Sequence, residues 1–495
     1  MALLIGYDVG SSSVKVSLLD AEKEAVLGSA VFPKKEMEMI SEKPGWAEQH
    51  PEMWWENLKM ATAELKDTIR FNKEDVQAIG ISYQMHGLVL VDREQQVLRP
   101  SIIWCDSRAV KIGNKAIEDI GKDMCLEHLL NSPGNFTASK LKWVKDNEPD
   151  IYDRAFKAML PGDYIAMKLT GDINTTISGL SEGILWDFKN ADIAHLVLDQ
   201  YEIGSELIPD LTPTFSVQGE LSKQAADELG LHPGTKIAYR AGDQPNNAFS
   251  LNVLNSGELA TTAGTSGVIY GIIEEANYDP KSRVNTFVHV NYDRNNPKYG
   301  VLLCVNGTGI LNSWLKHNTG DLDYPAMNDE AIQVPIGADG LMILPFGNGA
   351  ERILENKDIN SRIVGLNYNR HDRKHVLRAA QEGIVFALCY GFDVMKEMGI
   401  KMKVVRAGEA NMFLSPVFRE TFANTTGASI ELYNTDGSQG AARGAGIGSG
   451  IYSDFNEAFT GLNAVMTVDP EKVLSERYED AYQKWKELLF RVLNY

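Results

Sequence analysis

Leu3-Leu4-Ile5-Gly6-Tyr7-Asp8-Val9-Gly10-Ser11-Ser12-Ser13-Val14-Lys15-Val16-Ser17-Leu18-Leu19 decides the reading of this chain. Apolar residues flank a short polar turn, so the stretch reads as strand, tight turn and strand. Gly10 permits a backbone conformation closed to other residues. The turn gathers one carboxylate (Asp8), the hydroxyls of Ser11, Ser12 and Ser13, and one cation (Lys15). Backbone N–H groups and hydroxyls in such a turn can cradle phosphate oxygens. A carboxylate at the end of a strand can hold Mg2+, directly or through water. An ordinary solvated hairpin fits the same residues, and the stretch alone leaves both readings open.

Outward from the hairpin, a third strand is expected near 26–32. The polar loop Pro44-Gly45-Trp46-Ala47-Glu48-Gln49-His50 follows, and Pro51 suits the first turn of a helix. Trp54, Leu58, Ala61, Leu65 and Ile69 recur at helical spacing, which predicts an amphipathic helix over 51–70. Strands are expected at 76–83 and 88–91, around the loop Gln84-Met85-His86-Gly87. Ile102, Ile103 and Trp104 lead into the polar segment Cys105-Asp106-Ser107-Arg108, and helical patterns dominate 110–169.

Near residue 240 the opening grammar repeats. Ile237-Ala238-Tyr239-Arg240-Ala241-Gly242-Asp243 is a strand ending in Gly-Asp. Leu259-Ala260-Thr261-Thr262-Ala263-Gly264-Thr265-Ser266-Gly267-Val268-Ile269-Tyr270 is a second strand–turn–strand with glycine and hydroxyls at its tip. Two such hairpins suggest two related domains facing a shared cleft. A helix is expected over 375–398, with Gly399 as its C-cap. A strand at 403–406 then breaks into Ala407-Gly408-Glu409-Ala410-Asn411 before a helix over 415–426. Strand, glycine turn and helix let a backbone approach a flat ligand or a phosphate. The Gly/Ala-rich run 437–450 reads as a close-packed helix.

The chain has 495 residues, enough for two domains of about 250 and a large core. With 44% hydrophobic and 23% charged residues, its balance is that of a globular protein. The net charge of -19 supplies no positive field for a nucleic acid or an anionic membrane, though a local nucleotide pocket is compatible with it. Cys105, Cys125, Cys304 and Cys389 form no C-x-x-C pair, so reduced thiols in a cytoplasmic protein are expected. Asp8 and the serines interrupt any apolar leader, and no run of about 18 apolar residues suggests a membrane span. Neither G-x-x-x-x-G-K-[S/T] nor H-E-x-x-H occurs, and no strand-coupled G-x-G-x-x-G stands out. If the chain handles ATP, it uses a different fold from the P-loop enzymes.

Six motifs stand in order: Asp8-Val9-Gly10-Ser11-Ser12-Ser13-Val14-Lys15, Pro44-Gly45-Trp46-Ala47-Glu48-Gln49, Met85-His86-Gly87, Trp104 with Asp106 and Arg108, Gly242-Asp243-Gln244, and Ala263-Gly264-Thr265-Ser266. In this order the chain resembles, end to end, the FGGY carbohydrate kinases, and among them most closely the xylulokinases. The resemblance implies an α/β, two-domain actin-like (ribonuclease H-like) ATPase fold with an interdomain cleft. It implies an N-terminal domain over 1–245, with the sugar site and first phosphate hairpin, and a C-terminal nucleotide-binding domain over 246–495. ATP and Mg2+ would be the cofactors.

Under this resemblance Asp243 would be the general base that takes the proton from the sugar hydroxyl. Asp8 would hold Mg2+ through water. Ser11, Ser12 and Lys15, with Gly264, Thr265 and Ser266, would grip the phosphates. Gly408, Glu409 and Ala410 would line the adenosine pocket. Met85, His86 and Trp104 would shape the sugar pocket, with Gln244 beside the base. Met85-His86 stands where the family's glycerol kinases carry Arg-Glu, which disfavours glycerol. Two departures bear on substrate: Glu409 replaces one of two adjacent glycines, and Gln244-Pro245-Asn246-Asn247 replaces the more usual Asn and alanines.

The expected reaction is phosphorylation of D-xylulose to D-xylulose 5-phosphate, with gluconate, ribulose or another ketose or polyol as the alternative substrate. A sugar sensor or another actin-like ATPase is a third reading. A regulator should carry a DNA-binding segment, and none is visible; a chaperone should carry an added peptide-binding domain, for which the length leaves little room. The partners expected are the sugar and ATP, with a homodimer as the assembly and neither nucleic acid nor membrane.

Overall fold

The structure is a computed structural model that describes residues 1–320 and 322–494. Two compact units emerge. The first comprises Met1–Asn252, Phe287–Tyr299 and Thr435–Asn463; the second comprises Val253–Thr286, Gly300–Asn434 and the chain from Ala464 on.

The first unit opens with β1 (Leu3–Val9), β2 (Val14–Asp20) and β3 (Ala25–Phe32), the expected hairpin and third strand. Helix α1 (Pro51–Thr68) carries the apolar stripe, and β4 (Val76–Tyr83) follows. The region 110–169, expected to be helical, contains α2 (Thr137–Asn147) and α3 (Pro161–Thr170). It also contains a short strand, Lys157–Met159, that pairs with Val89–Val91. Lys157-Ala158-Met159 is too short to show a period, and the tertiary partner decides. Then come α4 (Ile177–Glu182), β5 (Phe215–Glu220), β6 (Lys236–Gly242) and α5 (Asp243–Ser250).

The six strands form one sheet in the order β5-β6-β4-β1-β2-β3. The β1 strand pairs antiparallel with β2 and parallel with β4, and β4 pairs parallel with β6. Odd-numbered side chains of β1 (Leu3, Ile5, Tyr7, Val9) join Trp54, Leu58, Ala61 and Leu65 of α1 and Tyr164 of α3 in one buried core. Tyr7 Oη is hydrogen-bonded to Thr62 Oγ1 at 2.9 Å, which satisfies a buried phenol.

The opposite face is covered by the helix Gly437–Gly448, as the close-packed reading expects. A Cβ on Gly6 would overlap the Ser438 carbonyl, and one on Gly80 would overlap the Ala441 carbonyl. Glycine on the sheet and small residues on the helix bring the two backbones together. Ser17 Oγ and Ser438 Oγ are 2.7 Å apart across this contact.

The second unit is built on a seven-stranded sheet that includes β7 (Glu258–Ala263), β8 (Gly267–Ile273), β9 (Tyr299–Val305), β10 (Val404–Gly408), β11 (Ile430–Tyr433) and β12 (Ala464–Val468). The β7 strand pairs antiparallel with β8 and parallel with β10; β10 pairs parallel with β11, and β11 antiparallel with β12. This repeats the pairing grammar of the first sheet. Helices α6 (Gly309–Asn318), α7 (Tyr324–Ala331), α8 (Arg373–Glu397), α9 (Pro416–Thr426) and α10 (Lys472–Leu493) surround it, with Gly399 at a φ of 89° just after α8. Two α/β units with one strand grammar are the architecture expected of the actin-like fold. The four cysteines are free thiols. Among the described residues, no helix is long and apolar enough to cross a membrane.

Candidate active site

Strand alternation puts Asp8 on the face of β1 that carries Gly6, and register places it opposite Lys15 on β2 and Ser82 on β4. Ser82 Oγ donates to Asp8 Oδ1 at 2.9 Å. Lys15 Nζ donates to Asp436 Oδ2 at 2.6 Å. Asp436 caps the helix Gly437–Gly448, accepting from the Gln439 N–H. A Cβ on Gly437 would run into the Asp8 carboxylate, so this glycine lets the helix start beside it.

Asp243 is the first residue of α5, immediately after β6, and Gln244 Nε2 donates to its Oδ2 at 3.1 Å. Burial, with the Asp8 charge added, pushes Asp243 up to about 7. A helix N-terminus favours the ionised form, but here burial outweighs it. Burial, with the Asp436 charge, pushes Asp8 up to about 6 against the Ser82 hydrogen bond and the Lys15 charge. Asp436 is held below the ordinary carboxylate value: despite burial, Lys15 and the hydrogen bonds it accepts keep it ionised. The group therefore contains one firmly ionised carboxylate paired to lysine and two that take up protons near neutrality.

Met85 is buried and packs against Gly242, where a Cβ would lie 2.6 Å from its Cγ. His86 sits at a φ of 62°, a left-handed conformation strained for a non-glycine residue. Its Nδ1 lies 2.8 Å from the Glu182 carbonyl oxygen. A carbonyl only accepts, so Nδ1 carries the hydrogen. The imidazole also packs edge-on to Phe136 at 4.8 Å. Trp104 is 52% exposed, and its indole N–H points to Ser11 Oγ at 3.3 Å, which brings the expected sugar wall to the expected phosphate turn. The Ser11 carbonyl accepts from Gln49 Nε2 at 2.7 Å, and the Ser12 carbonyl from the Met37 N–H at 2.9 Å.

In the second unit the tip Gly264-Thr265-Ser266 joins β7 to β8. The Gly309 N–H donates to the Gly264 carbonyl at 2.9 Å, and the Ile310 N–H to the Thr265 carbonyl at 3.2 Å. Gly264 and Thr265 open onto a cavity of about 840 Å3 that Asn312, Tyr324, Asn328, Asn411 and Ser415 also line. That volume suits a nucleoside-sized ligand. Gly408 ends β10, and Glu409 and Ala410 are exposed in the turn that leads to Asn411. The Glu409 N–H donates to the Tyr433 carbonyl at 2.9 Å.

Sequence reasoning missed Asp436, Ser82, Glu182 and Lys140 in the first unit, and Asn312, Tyr324 and Asn328 in the second. Each belongs to no short motif. Asp436 could have been sought as the N-cap of the Gly/Ala-rich helix.

Residues 3–250 match the N-terminal domain model of the FGGY family of carbohydrate kinases, and residues 259–448 its C-terminal domain model. The chain is 30% identical to the xylulose kinase of Bacillus subtilis (strain 168), covering 99% of this chain and 98% of that protein. It is 28% identical to the xylulose kinase of Escherichia coli (strain K12), at 99% and 98% coverage. The crystal structure of xylulose kinase from Rhodospirillum rubrum superposes with a TM-score of 0.87 at 25% identity over 100% of both chains. Both halves of the chain are thus accounted for, and the chain belongs to the FGGY family of carbohydrate kinases, ATP-using phosphotransferases that act on sugar hydroxyls.

Proposed function

We propose that this kinase phosphorylates D-xylulose to D-xylulose 5-phosphate. The observation that carries the reading is its likeness, over nearly the whole of both chains, to xylulose kinases at 26–30% identity. Met85-His86 beside Gly242-Asp243 supports it. Asp243 accepts the proton of the sugar hydroxyl as that oxygen attacks the γ-phosphorus of ATP. The bond from the γ-phosphorus to the bridging oxygen breaks, ADP leaves with the electron pair, and Asp243 later returns its proton to water. Phosphoryl transfer rests mainly on alignment and charge neutralisation. Ser11, Ser12 and Lys15 of the first hairpin and Gly264, Thr265 and Ser266 of the second take the phosphates in this scheme. Gly408, Glu409 and Ala410 lead into the wall that receives adenosine.

Mg2+ favours one or two carboxylates with water and phosphate oxygens completing its shell. The residues fit such an ion: Asp8 is a hard oxygen donor. Among the described residues, no group of three or more His, Cys, Asp or Glu side chains is arranged as an all-protein cage. Asp8 would hold the ion, which when bound neutralises charge on the phosphates.

ADP release with Mg-ATP across D-xylulose, D-ribulose, gluconate and glycerol tests the reading. Turnover highest on D-xylulose is expected. No turnover on any sugar overturns the activity, and turnover on gluconate without D-xylulose overturns the substrate alone.

A further inference from the structure

Lys140, on α2, is completely buried, and among the described residues no carboxylate pairs with it directly, although the Asp106 and Glu182 charges favour its ammonium from farther off. A buried ammonium without a counter-ion is costly and rarely retained without other partners. Here the partners are two backbone carbonyls. Lys140 Nζ donates to the His86 oxygen at 2.7 Å and to the Ile103 oxygen at 3.0 Å. Burial draws its basicity down to about 7. The two carbonyls belong to separate loops. One is the Gln84-Met85-His86-Gly87 loop, in which His86 is held in the left-handed region; in the other, the Ile103 carbonyl immediately precedes Trp104. Both loops carry side chains that the family resemblance assigns to the sugar pocket: Met85 and His86 on one, Trp104 on the other.

We propose that Lys140 is a positioning residue for sugar recognition, its ammonium fastening the His86 turn to the Ile103–Trp104 segment and fixing the spacing of the two walls. The Glu182 carbonyl on His86 Nδ1 and the Phe136 ring orient the imidazole; Lys140 holds the backbone beneath it. This inference rests on the reading of Met85, His86 and Trp104 as the sugar pocket.

Steady-state kinetics of Lys140→Met and Lys140→Gln with D-xylulose and ATP test it. Methionine keeps the length of the side chain and removes its donors; glutamine retains an N–H donor. The KM for sugar is expected to rise tenfold or more in Lys140→Met and by less in Lys140→Gln, with the KM for ATP within twofold of wild type in both. A general packing defect would move both constants together and would not distinguish Met from Gln. An unchanged sugar KM in folded Lys140→Met, or an ATP KM raised as much as the sugar KM, overturns the proposal. Should Lys140→Met fail the thermal-melt check for folding, Lys140→Gln decides on the same criteria. Wild type inactive on every sugar would instead remove the functional reading beneath it.

Discussion

The two units share one strand grammar, a hairpin joined through parallel pairing to two further strands, but they differ in charge. The first hairpin brings Asp8 and Lys15 to its turn; the second offers Gly264-Thr265-Ser266 with no charged side chain. The helices that begin near each sheet follow the same division. Asp243 starts α5 and Asp436 caps the helix Gly437–Gly448, whereas α9 starts at neutral Ser415-Pro416, which borders the cavity. A repeated backbone therefore does not repeat a chemistry. Titratable groups gather where proton transfer and metal binding are proposed, whereas the cavity that would fit a nucleoside is lined mostly by neutral side chains, with Asp329 its one carboxylate among the described residues.

The sharpest way to break this contrast is Asp243→Asn. A general base contributes about 10²- to 10⁴-fold, so kcat should fall by that order while ATP still binds. Near-normal ADP release from the variant would end the assignment. The same substitution should leave the melting temperature at pH 8 equal to or above that of wild type. The folded Asp243 carboxyl lies above its ordinary value, so its stabilising effect is present at low pH and lost as pH rises through about 7.

The pH profile sharpens the contrast next. Below about pH 7 Asp243 is protonated and cannot accept a proton, so kcat/KM should drop about tenfold per pH unit on the acid side. A flat profile from pH 5 to 8 would contradict it. Asp8→Asn removes a charge that raises Asp243, so the acid limb should move to lower pH. The Mg2+ concentration giving half-maximal rate should rise about tenfold or more, by loss of a hard ligand. A Mg2+ titration superposing on wild type would remove Asp8 from the metal.

The smallest effect belongs to the second unit. Asn328→Ala takes one polar side chain from the cavity, and a lost hydrogen bond of about 0.5–1.5 kcal/mol corresponds to a rise in ATP KM of about two- to tenfold. The sugar KM should stay unchanged. If it rises as well, the division of labour between the units is wrong.

Much of the fold was legible because its signals are local. Both hairpins, the helix after Pro51 and the helix ending before Gly399 lie within a few residues of their sequence expectations, since alternation, helical spacing and glycine stops act over a turn or two. The site was legible only where motifs are contiguous, as at Gly242-Asp243-Gln244. Lys15 reads as a cation for phosphate; its ion-pair partner Asp436 is 421 residues away, and no spacing rule reaches it. Lys140 belongs to no motif in the sequence. Its burial follows from two loops closing over it, which no periodicity in α2 announces. Asn312 and Asn328 belong to no motif, and only the cavity beside their helices marks them out.

The helix Gly437–Gly448 has a consequence for how the chain is made. It covers the sheet face of the strand that begins at Leu3, so the first unit cannot be completed until almost all of the polypeptide has left the ribosome. Until then Gly6 and Gly80 lie along an uncovered backbone surface, which a chaperone or another chain could meet. Contacts of such sequence separation form slowly. A fragment ending at residue 252 should therefore remain aggregation-prone, despite holding every strand of its own sheet.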